Sequence, residues 1–265
     1  MNRKTELGYL GSRIARNLMR AFFFCALAGT AAAQEYAWQV ESSMTYETGK
    51  YGADQDTKLF YWPVSLKRFF SQGDVSLTVP YVDLETPGGR TVIDGAVVPG
   101  NGTGGSGLGD VSVKGRYNWI EQTDKLPYVD LIARLKLPTA DEGKGLGTGE
   151  ADMGFGVELS RRFLDDYIGF ADLTYTFIGD PPGVNYDNRI DADLGLGYQF
   201  TQEWMGSVSY DFRSAISSGS TDAHSVSFLA NYKVTPQVRT YGMVELGLSD
   251  GAPDYGITVG ASYRF

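Results

Sequence analysis

Read in order, the chain alternates apolar and polar residues over most of its length. The final stretch, 255–265, shows the pattern most plainly. Tyr255, Ile257, Val259, Ala261, Tyr263 and Phe265 share one parity, and Gly256, Thr258, Gly260, Ser262 and Arg264 share the other. A period of two describes a strand with one oily and one wet face. Eleven earlier segments repeat it, near 36–47, 58–70, 75–81, 110–120, 128–138, 151–163, 167–178, 189–200, 204–214, 224–234 and 238–248. Pro63 and Pro80 interrupt the second and third segments. Each lacks a ladder donor, so both are expected at an edge or a bulge. No segment of this region shows a helical period.

The connections sort by length. Those near 71–74, 164–166, 201–203 and 235–237 are short, and the one at 121–127 is moderate. Those at 48–57, 84–109, 139–150, 179–188, 215–223 and 249–254 are longer. Short turns on one side and long loops on the other are the asymmetry of a bacterial outer-membrane barrel, with both chain ends on the periplasmic side. The aromatics of the oily parity fall near the strand ends. Trp119, Phe163, Phe200, Trp204, Tyr232, Tyr263 and Phe265 lie on the short-turn side; Tyr46, Tyr81, Tyr175, Phe177, Tyr210, Phe212 and Tyr255 lie on the long-loop side. Two such girdles mark the two interfaces of a bilayer. The predicted fold is all-β: a single antiparallel transmembrane β-barrel over 34–265, of about twelve strands, ten to fourteen at the limits.

Composition agrees with this layout. Aromatics are plentiful, with 17 Tyr and 14 Phe among 265 residues. No apolar run approaches the roughly 18 residues of a membrane helix, which excludes helical spans. A barrel needs only alternate apolar positions. Ahead of the strands, Arg3, Lys4, Arg13, Arg16 and Arg20 precede the apolar run from Ala21 to Ala28 and the small residues Ala31, Ala32 and Ala33. This is the order of an export signal over 1–33, with cleavage expected near Ala33 and translation starting at Met1 or Met19. Cys25, the sole cysteine, lies inside it, so the exported chain is expected to carry no disulfide or thiolate site. Losing 1–33 removes five basic residues and one acid, which leaves 18 basic against 31 acidic side chains and a net charge of −13. Such an acidic chain argues against nucleic acid as a partner.

Several runs carry a family likeness: Gly105-Ser106-Gly107-Leu108-Gly109-Asp110-Val111, Leu135-Lys136-Leu137-Pro138-Thr139-Ala140 and Gly145-Leu146-Gly147-Thr148-Gly149-Glu150. Asp250-Gly251-Ala252-Pro253-Asp254-Tyr255-Gly256 and the terminal Tyr263-Arg264-Phe265 add to it. Together they resemble bacterial outer-membrane proteins labelled "transporter" or assigned to the meta-cleavage pathway of phenol degradation. The resemblance implies an outer-membrane location and passive passage of a small solute, with hydrophobic or aromatic compounds as the class. It brings no catalytic residue, cofactor or metal ligand. Outer-membrane lipid and lipopolysaccharide are the expected surroundings, and the terminal Phe265 resembles the signal read by the barrel-assembly machinery.

The wet parity is richer in charge than a wetted face requires. Lys114, Arg116, Asp130, Arg134, Lys136, Asp152, Glu158, Asp172, Asp191, Asp193, Asp211, Arg213, Arg239 and Glu245 should all point inward. Two uses stay open. The groups could pair across the lumen and fill it, leaving a structural or surface-interaction barrel. They could instead line a polar path and set its solute preference. The longest loop, 84–109, holds Thr91-Val92-Ile93 and Ala96-Val97-Val98 among glycines. It is expected either to fold into the outer mouth or to form a small surface hairpin. Gly102, Gly104 and Gly107 have dinucleotide-loop spacing, but a strand follows them rather than a helix. His224, the only histidine, leaves a hydrolase as a distant third reading.

Overall fold

A computed structural model describes residues 36–265. The export signal expected over 1–33 lies outside the described residues. The elements in chain order are β1 (Trp38–Gly49), β2 (Thr57–Phe70), β3 (Gly73–Glu85), and the short β4 (Arg90–Ile93), β5 (Ala96–Pro99) and β6 (Gly105–Leu108). There follow β7 (Val111–Ile120), β8 (Tyr128–Leu137), β9 (Asp152–Phe163), β10 (Tyr167–Phe177), β11 (Arg189–Gln199) and β12 (Trp204–Arg213). The last are β13 (Ala223–Lys233), β14 (Val238–Gly247) and β15 (Tyr255–Arg264). Twelve of these are long strands, each antiparallel to its neighbours.

The sheet closes on itself because β1 pairs with both β2 and β15. Gln39 stands opposite Arg264 and Thr48 opposite Tyr255 along the seam. At its end, the Trp38 amide donates to the Phe265 carbonyl at 2.8 Å and the Phe265 amide donates back at 3.0 Å. Closure removes the free edges that would otherwise recruit another chain.

The two prolines are accommodated by facing one another. Pro63 of β2 is the register partner of Pro80 of β3, and both are buried on the inner face. Their missing donors therefore fall on the far sides of the pair, and both ladders break there. The β1–β2 register skips from Ser42↔Val64 to Thr45↔Tyr61. On the other side, β3 pairs with β7 up to Thr78↔Ser112 and resumes with β6 at Tyr81↔Leu108. Three residues, Gly109 to Val111, thus oppose two, Val79 and Pro80. This is a bulge, as expected of proline in a sheet. The Pro80 carbonyl still accepts from the Gly109 amide at 2.9 Å.

The expected loop 84–109 is more ordered than its sequence suggests. Strand β3 runs on to Glu85, β6 prolongs β7 along β3, and β4 and β5 form a hairpin in between. Alternation cannot reveal β6, because Gly105-Ser106-Gly107 has no apolar parity to show. The hairpin turn, Asp94-Gly95, has φ of 55° and 77°. Positive φ at both centres is the two-residue geometry that Asp-Gly favours.

Along the twelve long strands one parity is exposed and apolar: Val75, Leu77, Leu131, Leu135, Phe155, Leu173, Leu194, Val244 and Val259 all face out. Rings pair at both rims. Trp204 and Tyr232 lie 4.6 Å apart at the short-turn end, and Tyr175 and Phe177 lie 5.0 Å apart at the long-loop end. A continuous oily belt between two aromatic rims would aggregate in water. In the outer membrane it meets lipid.

Candidate functional site

The inner parity is polar, and neighbouring strands are registered so that its charges form cross-strand rows. One row is Asp130↔Glu158↔Asp172↔Asp193↔Asp211, five carboxylates on the consecutive strands β8 to β12. Like charges directly opposite repel, so this arc needs cations nearby. Strand β7 supplies some of them. Lys114 Nζ sits 2.9 Å from Glu158 Oε1, with both side chains about 5% exposed. Arg116 donates to Asp74 at 2.5 Å and lies 3.8 Å from the second Glu158 oxygen. The Asn118 amide donates to Asp130 at 2.7 Å. On the other flank, the Ser227 hydroxyl donates to Asp211 at 2.7 Å and the Ser225 hydroxyl donates to Glu245 at 2.6 Å.

A second row lies two inward positions nearer the outer mouth, roughly 13 Å along the strand. It reads Lys114↔Arg134↔Gly154↔Thr176↔Arg189. Between the rows, Asp191 stands opposite Arg213. One step further out, Lys136 is 1% exposed. Its ammonium lies 3.1 Å from Asp110 and 2.9 Å from Asp152, and donates to Thr148 at 2.9 Å.

The fourteen residues expected inward therefore all lie on the inner parity. Arg116, Arg134 and Arg213 are half-buried and the rest are buried. Most join the two rows and their neighbours. Arg239 does not: it lies at the short-turn end of β14, on the strand beside Arg264 and across from Ser262.

Above the second row the mouth is filled by the β4–β5 hairpin. Val92 and Val97 pack with Tyr51, Leu59, Tyr61, Val82, Leu84 and Leu146, and Ile93 and Val98 pack with Ile178, Tyr186 and Ile216. The Val92 amide donates to the Gly145 carbonyl at 2.8 Å, and the Thr91 hydroxyl donates to the Gly147 carbonyl at 3.0 Å. Gly145, at φ 77°, must be glycine, since a Cβ there would lie 2.4 Å from the Arg90 carbonyl oxygen. The Tyr186 hydroxyl donates to the Pro99 carbonyl at 2.8 Å, and burial pushes that phenol up to about 12. A cavity of about 200 Å³ remains beside the hairpin, bounded by Tyr51, Arg90, Val97, Ile216 and Asp250.

At the hairpin tip, Arg134 donates to one Asp94 oxygen at 2.6 Å and Arg189 donates to the other at 3.2 Å. Burial pushes the Asp94 carboxyl up, but the Arg134 and Arg189 guanidiniums outweigh it and hold it below the ordinary carboxylate range. Sequence reasoning singled out neither Asp94 nor Arg189. Both left a trace: Asp94-Gly95 between two apolar runs is a hairpin signal, and Arg189 shares the parity of Asp191 and Asp193.

The only histidine points the other way. His224 lies on the outer face of β13, its Nδ1 2.5 Å from the Tyr210 hydroxyl and its ring 5.2 Å from that of Phe212. Among the described residues no cluster of three or more His, Cys, Asp or Glu could hold a metal ion.

The sequence profile of the family described as "Putative MetA-pathway of phenol degradation" matches residues 64–265. The chain belongs to this family. No curated protein sequence matches it. Among solved structures it is similar in fold to the NanC porin, with TM-score 0.56 and 14% identity over 85% of this chain and 100% of that one. The KdgM porin in complex with oligogalacturonate gives 0.52 and 10% over 84% and 99%. The CymD monoaromatic hydrocarbon channel gives 0.51 and 10% over 88% and 89%. These likenesses fix the fold as an outer-membrane barrel.

Proposed function

We propose that the protein passes small solutes passively across the outer membrane through this lumen, with hydrophobic or aromatic compounds as the preferred class. The observation that carries the proposal is the nature of the seal. The outer mouth is closed by a hairpin belonging to a loop, not by the wall, and a charged rather than apolar interior lies below it. A seal of that kind can move without breaking the barrel ladder. The family description and the description of CymD as a channel for monoaromatic hydrocarbons support the solute class. The five-carboxylate arc favours cations and neutral solutes over anions in transit. No covalent step or cofactor is assigned, because His224 lies on the outer face of β13 beside Tyr210 and Phe212, away from the lumen.

Buried pairs such as Lys114–Glu158 favour a second reading, a structural barrel whose lumen is plugged by its own side chains. Swelling of liposomes that contain the purified protein separates the two. Swelling in neutral aromatic solutes supports passage, and its absence for every solute supports the plug. Lipopolysaccharide contact and recognition of Phe265 by the barrel-assembly machinery are further parts of the proposal. Normal membrane insertion after deletion of Phe265 would remove the latter.

A further inference from the structure

The hairpin in the outer mouth has the chemistry of a ligand. Its body is apolar, with Val92, Ile93, Val97 and Val98 buried against the wall and loops, and its tip is a carboxylate. The surface it covers is matched to that shape. Leu59, Tyr61 and Leu84 form one apolar side and Ile178, Tyr186 and Ile216 another. Two guanidiniums form the floor. Arg134 and Arg189 stand in one cross-strand row, separated only by Gly154 and Thr176, neither of which carries a charge.

This floor offers more donors than Asp94 uses. Arg189 is 1% exposed, yet its Nη1, like Arg134 Nε, is buried and donates to no acceptor among the described residues. Arg189 Nε already donates to Asp191 at 3.1 Å, and Lys136 holds Asp110 and Asp152. With these donors unused, a carboxylate freer than a tethered aspartate could meet a guanidinium fork with two bonds.

We propose that Arg134 and Arg189 form a binding site for a small carboxylic acid with an apolar body, and that Asp94 is its tethered competitor. The proposal rests on the channel reading in one respect, that the hairpin can withdraw. It concerns binding at the mouth, not flux, because the five-carboxylate arc deeper in the lumen opposes onward travel of an anion. A neutral analogue would leave the Arg134 guanidinium without a counter-charge and Arg189 with Asp191 alone, and an amine would add a third cation beside them. A short acid would leave the apolar sides uncovered.

The test is equilibrium binding of benzoate to the purified full-length protein in detergent, for the native chain and for Asp94→Asn. Removing the competitor should tighten benzoate binding by about tenfold or more, since the site is no longer mostly occupied from within. Deleting residues 90–99 removes the same competitor by another route and should give the same gain. In either background benzyl alcohol, benzylamine and acetate should bind at least about tenfold more weakly than benzoate. Arg134→Gln added to Asp94→Asn should abolish the gain. Unchanged benzoate affinity in both competitor-free variants would overturn the proposal, as would benzylamine or benzyl alcohol binding as tightly as benzoate. Planar-bilayer conductance of the same samples keeps the two ideas apart. A binding gain without current sinks the channel and keeps the site; current without preference for benzoate sinks the site and keeps the channel.

Discussion

At the outer mouth, a loop hairpin with four valine and isoleucine side chains packs against apolar patches of the wall, and one carboxylate between two arginines pins its tip. In the middle of the barrel the contacts run between strands. There the wall's own side chains meet, five registered carboxylates against the lysine and arginine of β7. The two zones respond differently to change. Apolar packing is nearly indifferent to pH and salt, and it can separate and reform as a unit. Buried ion pairs contribute little net stability when intact, but losing one partner strands the other in a site without water. On the proposed reading, the mouth is the part that moves, and the middle is the part that holds its geometry and selects by charge.

The largest expected effect comes from breaking the charged zone on one side only. Lys114→Met takes from the buried Glu158, within the carboxylate arc, the ammonium 2.9 Å away. It should lower barrel stability by about 3–5 kcal/mol, read as an earlier urea-unfolding midpoint in micelles. An unchanged midpoint would mean that the ammonium is not the partner that matters.

The apolar zone should yield next, and locally. Ile93→Ala removes a fully buried side chain from the hairpin. It should weaken hairpin docking by about 2–5 kcal/mol, with faster hydrogen exchange confined to 90–99 and the strand ladders unaffected. Faster exchange across all twelve strands would contradict the independence of the mouth.

Acid should loosen the same hairpin by a smaller amount. The Asp94 carboxyl is held below its ordinary value, so its contribution to docking is fully present above about pH 3.9. It is lost as pH falls through the lower folded-state value. Hairpin exchange should therefore rise below about pH 4, and Asp94→Asn should abolish that rise.

The smallest effect belongs to the arc. Asp193→Asn removes the charge between Asp172 and Asp211, each of which has other partners in the lumen. It should stabilise the barrel by about 0.2–1 kcal/mol and move the reversal potential in a salt gradient toward zero. A shift toward stronger cation preference would contradict the assigned role.

The same contrast separates what local sequence dictates from what only the closed barrel brings together. Alternation alone places Asp130, Glu158, Asp172, Asp193 and Asp211 on the inner face, because parity in a strand fixes the side. That they share one row depends on register between strands up to four apart, which turn lengths set and local sequence does not show. The twelve strands were legible because lipid demands an unbroken apolar parity. Strand β6 was not, since Gly105 and Gly107 carry no side chain to declare a face. Asp94 and Arg189 were missed for a different reason. They are 95 positions apart, and a loop that folds back into a barrel brings them together.

Single-channel conductance in a planar bilayer, compared between the native chain and one with residues 90–102 replaced by a short glycine-serine link, tests the moving mouth most directly. If the hairpin is the seal, the shortened loop should give a conductance several times higher and long-lived, with cation preference retained because the arc is untouched. Equal conductance in the two would contradict it and place the constriction among the charges of the middle.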